Sequence, residues 1–196
     1  GTGTEVVIYT VGHSNHTIED FIGLLRKVGV QVLVDVRSKP VSGYCPHFDK
    51  EPLARALRAS GVQYLFLGAE LGGRPEETEF YDAAGYVLYD KIAHSARFQA
   101  GIERLLEAAG PRLTAIMCGE DDPATCHRHL LIARVLAEGG HTVIHIRGDG
   151  SRVSYEDLLN RARSAQLELF DYMEPAPWKS TRSVLRKSQP ESSSEH

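Results

Sequence analysis

The chain has 196 residues, with 22 Lys or Arg against 26 Asp or Glu, and carries a net charge of −4 with its histidines neutral. That length suits one domain with a substantial core, and the mild acidity gives no global attraction to nucleic acid or anionic lipid, so a nucleic-acid surface is left open only as a local basic cleft. No apolar run approaches a membrane span, no secretory signal is visible, and three cysteines fit a reducing cytoplasm better than a disulfide framework.

Gly1-Thr2-Gly3-Thr4 lacks an initiator Met, and residues 1–5 are read as a remnant or flexible start. Val6 to Val11 is the first expected strand, ending in Gly12-His13-Ser14. Thr17 and Asp20 form an approximate capping box, and Ile18, Phe21, Ile22, Leu25 and Val28 follow helical spacing up to a stop at Gly29. Gln31 to Val36 is the second strand, continuously apolar at Val32-Leu33-Val34 as where both faces are covered. It delivers Asp35, Arg37 and Ser38, then an irregular loop from Pro40 to Phe48. Pro52 and Gly61 bracket a short helix with Leu53, Ala56 and Leu57 on one face.

Val62 to Leu67 is the third strand, and a Gly72-Gly73-Arg74-Pro75 loop opens a polar, Tyr-rich region with an interrupted helix up to about Asp90. Ala96 to Ala109 is a helix with Phe98, Ile102, Leu105 and Leu106 inward. Leu113 to Met117 is the fourth strand; it passes Cys118 into the turn Gly119-Glu120-Asp121-Asp122-Pro123, and a helix starts near Cys126-His127-Arg128 and runs through Leu130, Leu131, Val135 and Leu136 to Gly139-Gly140. Thr142 to Ile146 is the fifth strand, Ser154 with Asp157 caps a final helix, and 170–196 is read as a polar, largely disordered tail.

This alternation predicts a single α/β domain over residues 6–169, a mainly parallel sheet of about five strands flanked by helices in Rossmann-like layers. Ligands bind beyond the carboxyl ends of such strands. Those ends carry His13 and Ser14, Asp35 and Arg37, Cys118 and Glu120, and His145, with Cys126, His127 and Arg128 opening the next helix.

A cysteine in a helix's first turn has its thiolate stabilised by exposed amides and nearby cations; the alternative for Cys126 is a small packing residue. Seven residues separate Cys118 from Cys126, and the pair offers a reversible disulfide, although the spacing is not CxxC. Zinc through both cysteines and a histidine matches no common finger spacing, and no metal ligand is assigned. Arg37, Arg128 and Arg147 clamp an anion with the helix N-terminus, or else Arg37 pairs internally with Asp35 or Glu120. His13 and His145 either move protons or satisfy local hydrogen bonds. Gly72-Gly73 reads as a tight loop, because no GxGxxG or Walker pattern accompanies it.

Thr10-Val11-Gly12-His13-Ser14, Val34-Asp35-Val36-Arg37-Ser38-Lys39-Pro40, Glu70-Leu71-Gly72-Gly73, Met117-Cys118-Gly119-Glu120 with Pro123 and Cys126-His127-Arg128, and His145-Ile146 together resemble the DUF488 family. The likeness runs in order from about Tyr9 to Gly150. It departs at Ser42-Gly43-Tyr44-Cys45, where family members often carry basic residues. It implies a shared cytoplasmic α/β domain and importance for these blocks, but no reaction.

Two functional classes follow. One is an enzyme with a cleft acting on a small anionic substrate, nucleotide-like or phosphorylated: Cys126 is the nucleophile or redox thiol, Cys118 a second thiol, His13 or His127 moves protons and Glu120 or Asp35 orients them. Ser14, Asp35, Arg37, Arg128 and His145 then contact the substrate. The usual thiol phosphatase is disfavoured, because Cys118 has no arginine six residues on. The other class is a non-catalytic regulatory domain that binds a nucleotide, metal or nucleic-acid end in the same cleft. Neither a cofactor nor an oligomeric state is indicated by the residues.

Overall fold

The computed structural model describes residues 4–169 and 177–184. Five strands run parallel: β1 (Val7–Gly12), β2 (Val32–Asp35), β3 (Gln63–Phe66), β4 (Thr114–Cys118) and β5 (Thr142–Ile146). Each matches an expected window to within one residue, β1 and β4 running one residue further, to Gly12 and Cys118. A sixth, β6 (Arg152–Ser154), pairs antiparallel with β5 and extends the order to β3-β2-β4-β1-β5-β6. The sequence reading did not contain β6: three residues are too few to show a period.

The helices are α1 (Ile18–Val28), α2 (Lys50–Ala59), α3 (Gly68–Leu71), α4 (Tyr89–Ala93), α5 (Ala96–Ala109), α6 (Arg134–Glu138) and α7 (Tyr155–Leu169). The capping chemistry works as the residues require. Thr17 Oγ1 accepts the Asp20 amide at 3.1 Å, and Gly29 stops α1 at φ 88°, a left-handed conformation that glycine adopts without penalty. Ser95 caps α5 and Ser154 caps α7 in the same way.

The two sheet faces have separate cores. On one, Phe21, Leu25, Leu53 and Leu57 of α1 and α2 cover Val11, Leu33 and Met117. On the other, Leu71, Phe98, Leu105, Leu131 and Leu136 cover Ile8, Val34, Ile116 and Val143. Burying each such side chain contributes about 1.5–3 kcal/mol before entropy is counted. Strict alternation along β1, β4 and β5 sends Thr10, Cys118 and His145 to the second face, the one covered by the helix that follows Cys126.

That helix opens irregularly. Pro123–Thr125 is a 3-10 turn capped by the Asp122 carboxylate, and Arg128–Ala133 is a π-helix that runs into α6. A π turn holds more residues than an α turn, and here Arg128, His129, Leu131, Ile132 and Ala133 are all buried. Leu130 and Val135 on the same helix are only partly covered.

The expected tail from 170 contains an ordered stretch, since 177–184 packs against the domain; the rest of 170–196 lies outside the described residues. The Trp178 indole donates to the Leu130 carbonyl at 2.6 Å while Arg134 lies over its ring at 3.9 Å. Ser180 exchanges hydrogen bonds with Val87, donating its amide to the Val87 carbonyl and accepting the Val87 amide on Oγ. Replacing Trp178 by Ala removes that ring and bond from the π segment and is expected to cost about 2 kcal/mol, less than for a fully buried Trp. Urea unfolding checks it, and a loss under about 0.5 kcal/mol would mean that the stretch does not brace the helix.

Candidate functional site

β4 and β1 place Cys118 opposite Gly12 in register, so both backbones end at the same level. Beyond them the chain turns at Gly119 and crosses the end of β1. A Cβ at Gly12 would stand 1.7 Å from the Glu120 carbonyl oxygen, so only glycine lets the turn lie this close. The turn returns to Cys126, whose carbonyl accepts the amides of His129 and Leu130. Cys126 itself is extended, at φ −102° and ψ 146°. It therefore stands in the cap position and not inside the first turn, where the sequence reading put it. Its Sγ lies 2.7 Å from Cys118 Sγ, and both are free cysteines at 4% and 3% exposure.

Arg128 lies under this pair, 0% exposed. Its Nε donates to Thr10 Oγ1 at 3.1 Å, one terminal nitrogen donates to Cys118 Sγ at 2.8 Å and to the Glu120 carbonyl, and the other donates to the Asp121 carbonyl at 2.8 Å. No ion pair with a carboxylate involves it among the described residues. A buried cation without a counter-charge is costly. The acidic groups in contact with this one are thiols.

The thiols divide accordingly. Burial opposes ionisation of Cys126, but the hydrogen bond from Cys118, the charge of Arg128 and the Arg128 amide outweigh it and bring Cys126 down to about 7. Burial and its bond to Cys126 push Cys118 well up. The pair thus loses one proton easily and holds the other between the sulfurs. His127 adds a base. Its Nε2 lies 2.9 Å from the Val36 carbonyl and must donate there, so in the neutral ring Nδ1 is an acceptor, 3.7 Å from Cys126 Sγ. Burial keeps His127 below its ordinary pKa. Gly73 packs directly on the ring, where a Cβ would meet Cγ at 2.7 Å.

A second polar group sits at the same edge on the α1 and α2 face. Asp35, fully buried, accepts Arg37 through two side-chain bonds of 2.9 and 2.8 Å and Tyr64 Oη at 2.7 Å. Arg37 also donates to the Phe48 carbonyl and, at 3.4 Å, to His13 Nε2. His13 stacks on Phe48 and donates Nδ1–H to the Ser14 carbonyl, and burial lowers its pKa.

The residues expected in one cleft therefore form two groups. Cys118, Cys126, His127 and Arg128 come together on one face; Asp35, Arg37 and His13 on the other. Three of the expected substrate contacts are turned into the fold. Arg37 is spent on Asp35, Arg128 is sealed beneath the thiols, and His145 is 0% exposed, behind Thr10. Glu120 contributes its carbonyl, to Arg128 and to Cys118 Sγ, while its side chain points into solvent. Ser14 is a left-handed turn residue at φ 47°. Among the described residues no group of three His, Cys, Asp or Glu is placed to hold a metal.

A profile for the domain of unknown function DUF488 matches residues 17–135, more than half of the chain. The chain belongs to the DUF488 family. No curated protein and no solved structure matches it. The matched segment of this DUF488 chain includes both thiols, His127 and Arg128, and leaves out β1 and β5 with Thr10, His13 and His145.

Sequence reasoning missed Thr10, His129, Arg74 and Tyr89. Thr10 opens one of the blocks that carry the family resemblance but was given no role, and His129 had no signal beyond its neighbours. Arg74 follows the two glycines and is exposed, its side chain unpaired among the described residues, and its charge acts on His127 and Tyr89. Tyr89 is buried, and its phenol is raised by burial and then by the charge of Cys126.

Replacing Arg128 by Ala strips three backbone or hydroxyl acceptors and the thiol of their donor. The expected loss is about 3–5 kcal/mol, as for a broken buried charge pair. Arg128→Lys keeps the charge without the fork and should recover only part of it. Chemical denaturation reads both, and an Arg128→Ala loss below about 1 kcal/mol contradicts the burial argument.

Proposed function

We propose that this DUF488 protein is a thiol-dependent oxidoreductase acting on a small anionic substrate, with Cys126 as nucleophile and Cys118 as resolving thiol. The supporting observation is a fully buried arginine that contacts thiols in place of carboxylates, beneath two sulfurs 2.7 Å apart. Burial of both sulfurs favours a small substrate, because a protein disulfide does not reach a thiol exposed by 4%.

In the first step Cys126 thiolate attacks atom X of a substrate X–Y. The S–X bond forms, X–Y breaks, and Y leaves with the electron pair. The proton lost by Cys126 passes through His127 Nδ1 to Y. In the second step Cys118 attacks the Cys126 sulfur, the disulfide forms, and X leaves with the pair and the Cys118 proton. Two thiols are oxidised and X–Y is reduced by two electrons to XH and YH. A solution dithiol restores the thiols by exchange. Oxidation removes the thiolate and leaves Arg128 buried without counter-charge, so the dithiol is the favoured resting form.

With Arg37 and Arg128 committed inside the fold, Arg74 is the cation that anchors the substrate. It stands one residue from Gly73, on the His127 side of the thiols.

Alkylation of the native chain with iodoacetamide, mapped by peptide mass, tests the thiolate. Cys126 is expected to label with a rate inflecting near pH 7, because the thiolate fraction rises through the folded pKa of about 7. Mild oxidation with diamide should yield a Cys118–Cys126 disulfide, and Cys118→Ser should leave Cys126 in a mixed adduct. Labelling of neither thiol below about pH 8.5 would overturn the reading.

Arg74→Ala is expected to slow reaction of Cys126 with an anionic disulfide, 5,5′-dithiobis(2-nitrobenzoate), by about tenfold and to leave the rate with neutral iodoacetamide unchanged. An equal change with both probes would remove Arg74 as the anion anchor.

A further inference from the structure

Two imidazoles lie in the core behind Arg128, and the proposed thiol chemistry uses neither. His145 is 0% and His129 6% exposed, and each is touched by the other, with His129 Nδ1 and His145 Nε2 3.0 Å apart. His145 Nδ1 lies 2.5 Å from Thr10 Oγ1, and Thr10 Oγ1 accepts Arg128 Nε at 3.1 Å. The four side chains form one unbroken line of hydrogen bonds that ends at the guanidinium.

Its direction follows from donor counting. Arg128 Nε–H can only donate, so it takes a lone pair of Thr10. The Thr10 hydroxyl is fully buried and must place its own hydrogen, and the acceptor in reach is His145 Nδ1. An imidazole with Nδ1 accepting carries its proton on Nε2, and that proton goes to His129 Nδ1. His129 then carries its proton on Nε2. Every hydrogen in the line points away from Arg128 and every lone pair points toward it.

We infer that Thr10, His145 and His129 are a positioning relay for Arg128: a neutral acceptor line that fixes the roll of the guanidinium about Nε and so keeps a terminal nitrogen on the thiol pair. The inference rests on the thiolate reading above. Neutrality is what makes the line suitable. A carboxylate in the place of Thr10 would take the charge of Arg128 for itself and leave the thiols un-ionised. An apolar side chain there would leave Nε–H unpaired and free the fork to turn. A hydroxyl backed by two uncharged rings accepts the bond and leaves the positive charge to the sulfurs. The rings stay uncharged because burial, together with Arg128, holds His129 near 4 and His145 lower still. None of these three residues touches the substrate; they act through Arg128.

The full chain carries the test. The iodoacetamide rate at Cys126 is followed against pH in wild type, Thr10→Val and Thr10→Ser. Thr10→Val is expected to move the inflection up by about one pH unit, a tenfold drop in thiolate at neutral pH. Thr10→Ser keeps the hydroxyl and should return the inflection to the wild-type position. A merely structural role would lower the stability of Thr10→Val and leave its inflection in place, and that result overturns the relay. A wild-type inflection at the ordinary thiol value would overturn the thiolate reading instead, and the two failures are thus separate. A second measurement needs no variant: nitrogen NMR of His129 and His145 should show both rings neutral with the proton on Nε2 between about pH 5 and 8. A proton on Nδ1 of either ring reverses the line and sinks the inference even if Thr10→Val does not fold.

Discussion

The site depends on a guanidinium buried where the fold supplies no carboxylate. In most proteins a sealed arginine is neutralised by an aspartate or glutamate, as Arg37 is here by Asp35. Arg128 instead spends its donors on Thr10, two main-chain carbonyls and a cysteine sulfur. Carbonyls and hydroxyls satisfy hydrogen bonds but carry no net charge. The remaining positive charge acts on whatever can ionise beside it, and that is the thiol pair. That charge and the hydrogen bond from Cys118 bring Cys126 down against its burial, while burial and the same bond between the sulfurs push Cys118 up.

The Asp35 group on the opposite face has a different physical character. Asp35, Arg37, Tyr64, Phe48 and His13 close on one another, with a full carboxylate against a full guanidinium and an aromatic ring beneath the imidazole. Such a closed set ties the end of β2 to β3, to the loop before α2 and to the end of β1. His13 donates its amide to the Cys118 carbonyl, so the brace also fixes the backbone that delivers the first thiol. Charge is consumed in one group and left over in the other, at the same edge of the same sheet.

Much of this was legible in the residues. Short apolar runs, Thr17, Gly29 and the Ala96–Ala109 period located strands, caps and helices, because those signals are local. That Cys118, Asp35 and their neighbours gather at the C-terminal edge followed from parallel strands alone. The division between the two faces was not legible at the loops. Alternation holds along a strand, but Arg37 and Arg128 lie beyond strand ends, where no period says which way a long side chain folds back. The π turn was hidden for a related reason: LLIARVL satisfies an α period well enough, and the extra residue per turn is set by what Arg128 and His129 reach inward. Thr10 read as a polar interruption of its strand, and His145 as a strand-end candidate facing a ligand. Only the partner across 135 residues of sequence turns them into a line.

The loop that joins the two thiols explains how a spacing so unlike CxxC brings sulfurs into contact. Seven residues stand between Cys118 and Cys126. A flexible loop of that length pays closure entropy each time its ends meet. Here the loop is held from inside: Arg128, just beyond the second thiol, takes the carbonyls of Glu120 and Asp121, just beyond the first. The Asp121 carboxylate is in turn held by Arg147 and by the Gly148 amide at the end of β5, and Asp122 caps the 3-10 turn. Gly12 removes the one side chain that would keep the loop off the strand. The cation that draws a proton from the thiols is therefore also the clasp of the loop that presents them. Charge and closure cannot be separated by mutation at Arg128, whereas Thr10 and the histidines behind it bear on its orientation alone.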